Sequence, residues 1–192
     1  MEAAERVREA MRAVPRARYL PRAQRFFAPA DMALPIGHGQ TSSQPSTVRA
    51  MLELLDVHEG HRVLDVGSGS GWTTAILAHL TGPTGSVLGV ERVPALVEMG
   101  AANLAGAGMP WARVERATPG LLGAPAEGPF DRILVSAEPD HLPDELVTQL
   151  VPGGVMVIPV GGRMLRVRAA AGGPEVERGG YYRFVPLVQD GG

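Results

Sequence analysis

The run Val63-Leu-Asp-Val-Gly-Ser-Gly-Ser-Gly71 constrains the fold of this chain more than any other stretch. Its first half, residues 63–66, is apolar around one aspartate, which is typical of a short buried strand. Its second half alternates glycine with serine, and a ligand can approach these glycines closely because they carry no Cβ atom. After Gly71 the apolar residues follow helical spacing, so we predict a strand, a glycine loop and a helix in direct succession.

A second apolar run, residues 87–90, follows this predicted helix and ends directly before Glu91. An acidic residue at the tip of the second strand of such a unit is placed to accept hydrogen bonds from a ribose diol. The free N–H groups of the loop and of the helix N-terminus are available to a ligand. Glycine clusters are often plain turns, but the order of strand, loop, helix, strand and acid favours a site for a nucleoside cofactor.

The alternation of apolar runs and helical patterns continues along the chain. The predicted helices are residues 2–14, 45–55, 72–80, 94–105 and 143–150, and the predicted strands are residues 63–66, 86–90, 111–116, 130–136 and 155–160. We interpret residues 152–154 as a tight turn and residues 164–169 and 181–188 as a hairpin. The fold class is therefore α/β, a Rossmann-like three-layer sandwich with a mostly parallel sheet and an antiparallel C-terminal hairpin.

Length and composition suit one globular domain, since 45% of the 192 residues are hydrophobic. We predict a single domain over residues 1–192, with residues 1–60 as a helical and loop-rich cap and residues 61–192 as the core. Tyr19, Leu20, Phe26 and Phe27 are expected to pack on that core. No apolar run reaches the roughly 20 residues of a membrane helix, and the N-terminus does not resemble a signal peptide. We therefore expect a cytoplasmic monomer with no membrane partner.

Net charge and residue usage exclude several classes of function. The net charge is −2, which argues against a general nucleic-acid binder, because such proteins usually carry a basic face. There are no cysteines, and the histidines lack metal-ligand spacing, so we predict no metal site. Seven arginines crowd the first thirty residues, and we interpret them as a solvated helix surface, with attraction for an acidic partner as the alternative. They are Arg6, Arg8, Arg12, Arg16, Arg18, Arg22 and Arg25.

The stretch Leu34-Pro-Ile-Gly-His-Gly-Gln-Thr-Ser-Ser-Gln-Pro45 is polar and rich in glycine, which suits a loop over a site. Pro45 is a favourable first residue of a helix, so Ser43 lies just ahead of a helix N-terminus. Two roles are open for Ser43, which either caps this helix or faces a ligand.

Together these segments resemble the protein-L-isoaspartate O-methyltransferase family, class I enzymes that depend on S-adenosylmethionine. The resemblance extends over nearly the whole chain and rests on five segments: Ala10-Met-Arg-Ala-Val-Pro-Arg16, residues 34–45, residues 63–71, Leu150-Val-Pro-Gly-Gly-Val-Met-Val-Ile-Pro-Val-Gly161 and Arg183-Phe-Val-Pro-Leu187. Many methyltransferases share the glycine loop. The Thr-x-Ser-x-Pro pattern of residues 41–45 and the segment of residues 150–161 are more particular to this family.

The resemblance implies methyl transfer from S-adenosylmethionine to the free carboxylate of an isoaspartyl residue in a protein or peptide. It implies that Ser43 is the catalytic residue that faces this carboxylate. His38, Ser136 and Glu138 are predicted to belong to the substrate loop. An ionised carboxylate needs no general base to accept a methyl group, so no catalytic histidine or cysteine is required. The implied cofactor contacts are Thr41, Ser42, Asp65, Gly67, Ser68, Gly69, Ser70, Gly71, Glu91, Arg92, Ala117 and Thr118.

Two positions depart from the family pattern. The third strand usually ends in Gly-Asp, where this chain has Ala117-Thr118; a neutral hydroxyl accepts the adenine amino group more weakly than a carboxylate does. After the fourth strand, Ala137-Glu-Pro-Asp-His141 replaces a run of alanines. Its two carboxylates would repel an anionic acceptor unless they point outward or meet cations of the substrate.

Three alternatives remain beside isoaspartate methylation. The altered loop of residues 138–141 motivates a methyltransferase for a chosen aspartate in a ribosomal peptide product. Thr118 suggests a cofactor binder without turnover. An RNA methyltransferase would share the glycine loop, but the pI near 6.2 and the lack of an Asn/Asp-Pro-Pro-aromatic motif disfavour it. We expect a protein or peptide substrate and no nucleic-acid partner.

Overall fold

The computed structural model describes residues 2–188. Its α-helices are α1 (Ala3–Ala13), α2 (Pro45–Leu55), α3 (Trp72–Thr81), α4 (Pro94–Ala105) and α5 (Asp144–Val147). Its strands are β1 (Leu34–Gly37), β2 (Gln40–Ser42), β3 (Arg62–Val66), β4 (Ser86–Glu91), β5 (Ala112–Arg116), β6 (Phe130–Val135), β7 (Leu150–Val160), β8 (Arg163–Arg168) and β9 (Glu175–Tyr181). Two 3₁₀ helices, Arg16–Tyr19 and Arg22–Phe27, connect α1 to β1.

Seven strands form the main sheet in the order β5-β4-β3-β6-β7-β8-β9. Strands β3 to β7 pair in parallel, whereas β8 and β9 are antiparallel. The chain moves outward from β3 to β5 and then returns to place β6 on the other side of β3. Ligands of such sheets bind at the carboxyl ends of the strands where this direction changes. The α/β fold class and the antiparallel C-terminal strands are confirmed.

The core lies on both faces of the sheet. Because successive strand residues point to opposite faces, Val63 and Leu64 of β3 belong to two different buried clusters. Val63 packs in the cluster that includes Leu52 of α2 and Ile76 of α3, and Leu64 packs in the cluster that includes Leu146 of α5. Burying a side chain of this size contributes about 2 kcal/mol, so the central strands hold the loops at their ends firmly in place.

The N-terminal segment joins the first of these clusters. Val7 and Ala10 of α1 are buried there, and the Trp72 indole donates a hydrogen bond to the Val14 carbonyl oxygen at 3.0 Å. Tyr19 and Leu20 are buried as predicted, at 3% exposure each. The chain before β1 therefore lies against α2 and against α3, the helix that follows the glycine loop.

Several local predictions were wrong. Phe26 and Phe27 are 87% and 48% exposed and do not pack on the core. The predicted helix of residues 143–150 is a single turn, α5. Residues 152–154 are part of β7 rather than a turn, because Gly153, with φ +80°, lies where the register of β7 against β6 shifts. This irregularity absorbs three extra residues of β7, since β7 advances from 150 to 155 while β6 advances from 130 to 132, without ending the strand.

The C-terminal hairpin is also displaced from its prediction. Its second strand is β9, at residues 175–181, and residues 182–188 leave the sheet. Across the hairpin, Arg166 pairs with Glu177 and Arg168 with Glu175, both at 3.3 Å. A second, small antiparallel pair of β1 and β2 lies within the stretch predicted as a loop. No helix within residues 2–188 has the length and apolar character needed to cross a membrane.

Candidate active site

A cavity of about 810 Å³ opens where β3, β4, β5 and β6 end, a volume typical of small-molecule sites. It brings together residues from seven separate segments of the chain. Twelve of the predicted site residues line it: Thr41, Ser42, Ser43, Gly67, Ser68, Gly69, Ser70, Glu91, Arg92, Ala117, Thr118 and Ser136. The structure therefore places the predicted cofactor and acceptor residues around one space.

The glycine loop depends on backbone conformations that other residues rarely adopt. Gly67, Gly69 and Gly71 have φ of +77°, +53° and +83°. A Cβ atom on Gly71 would lie 3.2 Å from the carbonyl oxygen of Gly100 in α4. Glycine at position 71 is therefore needed both for the turn into α3 and for the close approach of α4.

Glu91 fastens the glycine loop to the next helix. Its carboxylate is buried, and Oε2 accepts a hydrogen bond from the Gly69 N–H at 3.0 Å. Oε1 accepts one from the Val93 N–H, just before α4, at 2.9 Å. Each oxygen has a second lone pair, so Glu91 can accept further hydrogen bonds from a ligand in the cavity.

Asp65 lies fully buried below the loop. Its Oδ2 accepts hydrogen bonds from the Thr73 and Thr74 hydroxyls, each at 2.7 Å. Burial raises the pKa of Asp65 to about 6, the two hydroxyls oppose this rise, and the negative charge of Glu91 adds to it. A cationic hydrogen-bond donor beside Asp65 would lower its pKa again.

Two buried polar atoms at the loop have no hydrogen-bond partner within residues 2–188, namely Asp65 Oδ1 and Ser68 Oγ. Buried polar groups are nearly always paired with protein, water or ligand. These two atoms therefore mark an unmet hydrogen-bonding requirement next to the cavity. Asp65 and Gly71 do not themselves line the cavity, but support the residues that do.

Ser43 follows β2 on the opposite wall. No hydrogen bond within residues 2–188 ties its hydroxyl to the protein, so this group is available to a ligand. Ser43 does not cap α2. Asp31 does so instead, because its Oδ1 accepts the Ser46 N–H at 2.8 Å, and this bond holds the pKa of Asp31 below its ordinary value.

Arg16 is buried behind this wall, at 5% exposure. It was predicted to lie on a solvated surface, which is wrong. Its guanidinium donates to Ser42 Oγ at 3.1 Å and to the carbonyl oxygens of Ser42 and Ser43 at 2.8 and 2.9 Å. It also donates to the carbonyl oxygens of Ala30 and Met32. Burial lowers the pKa of Arg16, and the negative charge of Asp31 opposes this shift.

Two predicted substrate-loop residues do not line the cavity. His38 is exposed at the turn between β1 and β2, with φ +54°. Glu138 turns away from the cavity, and its Oε1 accepts the Gly162 N–H at 2.5 Å. Its backbone pairs with Val185 and Leu187, through hydrogen bonds of 2.8 Å each. Residues 185–188 thereby form a further wall of the cavity.

Sequence reasoning also missed Gln149. Its buried amide accepts the Ala124 N–H at 2.8 Å and donates to the carbonyl oxygens of Leu122 and Glu145, both at 2.8 Å. These bonds pin the loop after Thr118 against α5 and shape the far end of the cavity. A lone glutamine at the end of a predicted helix carries no signal of this kind. Within residues 2–188, no group of three histidine, aspartate or glutamate side chains is arranged to hold a metal ion.

Comparison with known proteins places this geometry in a family. The family model "Protein-L-isoaspartate(D-aspartate) O-methyltransferase (PCMT)" matches residues 1–191. A protein-L-isoaspartate O-methyltransferase of Methanothrix thermoacetophila is 46% identical over 190 residues, which is 96% of this chain and 88% of the relative. One of Methanopyrus kandleri is 43% identical over 97% of this chain and 85% of the relative.

Solved structures agree. A protein-L-isoaspartate O-methyltransferase superposes with a TM-score of 0.87 at 24% identity, over 98% of this chain and 62% of that chain, which shows the shared fold. A Plasmodium falciparum protein of the same description, in complex with S-adenosyl-L-homocysteine, superposes with a TM-score of 0.84 at 26% identity, over 96% and 90% of the two chains. The resemblance first seen in the sequence motifs is confirmed, and the chain belongs to the protein-L-isoaspartate(D-aspartate) O-methyltransferase family.

Proposed function

We propose that this protein is an S-adenosylmethionine-dependent carboxyl O-methyltransferase that methylates L-isoaspartyl residues of proteins or peptides. The observation that carries the proposal is one cavity lined by Ser43, the glycine loop and Glu91, in which the Ser43 hydroxyl has no hydrogen bond to the protein within residues 2–188. Membership of the family and the 46% identity to a named relative support it. The chain supplies a place for a nucleoside cofactor on one wall and for an acceptor on the other. We call the wall lined by residues 67–70 and Glu91 the cofactor wall, and the wall lined by residues 41–43 the acceptor wall.

The residues of the cofactor wall fit S-adenosylmethionine. Glu91 has lone pairs left for the ribose hydroxyls after it has accepted two backbone N–H groups. The unpaired Asp65 Oδ1 and Ser68 Oγ suit the polar methionine end, whose ammonium is a cationic donor. Ala117, Thr118 and the loop pinned by Gln149 would enclose the adenine. When bound, this cofactor supplies an electrophilic methyl group on a sulfonium.

The protein's part in the reaction is alignment. An isoaspartyl carboxylate is ionised at neutral pH, because its unperturbed pKa is near 4, so no residue has to remove a proton. The Ser43 hydroxyl can donate to one carboxylate oxygen and leave the other aimed at the glycine loop. Ile36 and Trp72 line the same space with apolar surface and exclude water from the oxygen that reacts.

The product of transfer is a methyl ester at the former isoaspartyl carboxylate. The neighbouring backbone nitrogen of the released substrate can attack the ester carbonyl and expel methanol, which closes a succinimide ring. Hydrolysis of this ring restores a share of normal aspartyl linkages. The methylated protein is therefore an intermediate of repair rather than its end point.

Glu138 no longer favours a dedicated aspartate substrate. The sequence suggested that a carboxylate in the loop of residues 138–141 would repel an anionic acceptor. The Glu138 carboxylate accepts a hydrogen bond from the Gly162 N–H, and Glu138 does not line the cavity. The altered loop therefore adds no charge from this residue to the acceptor wall. We infer that the general isoaspartyl substrate is preferred over a single ribosomal peptide.

Paired peptides test the proposal. Peptides that differ only in an L-isoaspartyl or an L-aspartyl residue are incubated with the protein and labelled cofactor. We expect methyl incorporation into the isoaspartyl peptide and at least about tenfold less into its partner. Transfer to the aspartyl peptide alone, to bulk RNA alone, or binding of S-adenosylhomocysteine with no transfer at all would each contradict it.

We further infer one domain over residues 1–192, in which residues 1–60 act as the cap that carries the acceptor wall. Its support is the buried cluster that α1 and α2 share with α3 and β3. The monomeric state stays a prediction that light scattering during size-exclusion chromatography can check. Residues 189–192 lie outside the described part of the chain.

A further inference from the structure

Arg16 is buried and its guanidinium is extensively hydrogen-bonded to the protein. Its guanidinium donates to five acceptors, and four of them are backbone carbonyl oxygens. Two of these carbonyls belong to Ser42 and Ser43, and the other two belong to Ala30 and Met32, ahead of β1. The group therefore ties the segment that ends in Ser43, on the acceptor wall, to the segment ahead of β1, which does not itself line the cavity.

The guanidinium also connects this wall to the cofactor wall. Its central carbon lies 5.3 Å from the ring centre of Trp72. Trp72 is the first residue of α3, directly after the glycine loop, and its indole is fixed by the Val14 carbonyl oxygen. Arg16 is thus packed between the segment that ends in Ser43 and the helix that follows Gly71.

The geometry of arginine suits this task. A guanidinium is planar and directs its N–H donors along fixed directions, whereas a lysine ammonium is a single, freely rotating point of attachment. No carboxylate within residues 2–188 forms an ion pair with Arg16, so the donors are used for carbonyl oxygens. Arg16 therefore restrains the backbone of Ser42 and Ser43 through hydrogen bonds rather than through an ion pair.

We propose that Arg16 is the positioning residue of the acceptor wall, which sets the distance and direction of Ser43 relative to the glycine loop. It acts through Ser43 and does not touch the substrate. This inference rests on the proposed function, because it assumes that Ser43 orients the acceptor carboxylate. It predicts that loss of Arg16 impairs the transfer step and leaves the cofactor wall intact.

The test compares Arg16→Met, which removes the charge and all five donors, with Arg16→Lys, which keeps the charge. We expect Arg16→Met to lower kcat on an isoaspartyl peptide about 100-fold, since misplacement of a reacting group by about 1 Å costs this much. The KM for the peptide and the Kd for S-adenosylhomocysteine should change less than about threefold. Arg16→Lys should recover about a tenth of the lost rate, which gives a kcat about tenfold below that of the unaltered protein.

Amide hydrogen exchange over residues 40–45 supplies a readout that does not depend on catalysis. We expect exchange to be at least about tenfold faster in Arg16→Met than in the unaltered protein, because the restrained carbonyls are released. Arg49→Met is the matched control. Arg49 is exposed on α2, 3.7 Å from Glu53, and its loss should leave every readout within about twofold.

Each outcome decides between the roles. A kcat of Arg16→Met within threefold of the unaltered protein overturns the proposal, as does a Kd for S-adenosylhomocysteine that rises as far as kcat falls. If the unaltered protein itself fails to methylate the isoaspartyl peptide, the proposed function is wrong, and unchanged exchange over residues 40–45 then overturns the positioning role separately. Should Arg16→Met not fold, Arg16→Lys is judged by the same criteria.

Discussion

The two walls of the cavity are built in different ways. The cofactor wall is held together by bonds within one short stretch, from Asp65 to Val93. The acceptor wall is held by side chains from elsewhere, since Arg16 precedes the serine that it binds by 26 residues. One wall is thus encoded by local backbone conformation and the other by contacts between distant segments. Changes to the first should weaken both folding and cofactor binding, and changes to the second should weaken transfer alone.

The largest effect is expected on the cofactor wall at Glu91. Glu91→Ala leaves the N–H groups of Gly69 and Val93 without their acceptor, which should lower the free energy of unfolding by about 2–4 kcal/mol. The Kd for S-adenosylhomocysteine should rise about 100-fold as the ribose contact is lost. Urea unfolding and calorimetry measure both. Glu115→Ala, at an exposed ion pair of β5, is the control and should change neither.

Asp65 should make the stability of this wall depend on pH. Its pKa is about 6 in the folded protein and near 3.9 when unfolded, so the folded state binds more protons between these values. The free energy of unfolding should therefore fall by about 2.3 kcal/mol as pH rises from 4 to 7, relative to Asp65→Asn, and stay level above. Urea unfolding of both proteins at pH 4, 5.5 and 7 measures this. A difference between the two proteins that does not vary with pH would contradict the assignment.

A smaller loss is expected at the turn of the glycine loop. Gly71→Ala places a Cβ atom at φ +83° and 3.2 Å from the Gly100 carbonyl oxygen. We expect a loss of about 2 kcal/mol in the free energy of unfolding, with weaker binding of S-adenosylhomocysteine. Gly172→Ala lies in open space on the hairpin and should change either quantity little. Equal stability of the two variants would show that the turn tolerates a side chain.

The smallest effect on stability should appear on the acceptor wall. Ser43→Ala removes only a hydroxyl that has no partner in the described chain, so the free energy of unfolding should stay within about 0.5 kcal/mol. We expect kcat/KM on an isoaspartyl peptide to fall at least about 100-fold, or about 2.7 kcal/mol in transition-state stabilisation, because Arg16 is proposed to act through this hydroxyl. Binding of S-adenosylhomocysteine should be unchanged. Thr84→Ala, in an exposed turn, is the control. A rise in the Kd for S-adenosylhomocysteine equal to the loss of kcat/KM would remove the distinction between the walls.

The same difference explains which features the sequence could reveal. The glycine loop and Glu91 were predictable because strand and helix periods and the glycine spacing are local signals. Arg16 was not, since an arginine beside an amphipathic helix has the same pattern whether it faces solvent or a ring of carbonyl oxygens. Glu138 was read as part of the substrate loop because no local pattern reports that Gly162, 24 residues later, donates to its carboxylate.

Some predicted strand boundaries were wrong for a related reason. A proline followed by two glycines signals a turn in isolation. Residues 152–154 nevertheless continue β7, because Leu150 and Val155 on either side pair with β6 and Gly153 and Gly154 form backbone hydrogen bonds with Ala169. Phe26 and Phe27 were expected inside from their size alone, although short 3₁₀ segments can leave one side without a neighbour. For residues 152–154 the deciding contacts involve a part of the chain that a sequence window does not include.

The charged hairpin at the outer edge of the sheet has a consequence for handling the protein. Within the described part of the chain, strand β9 is the last strand of the main sheet, and the outer edge of such a strand is a template for another extended chain. Glu175 and Glu177, 62% and 73% exposed and already paired with arginines of β8, alternate along this edge. A foreign strand would have to bury these carboxylates, so the edge disfavours fibril-like aggregation at high concentration.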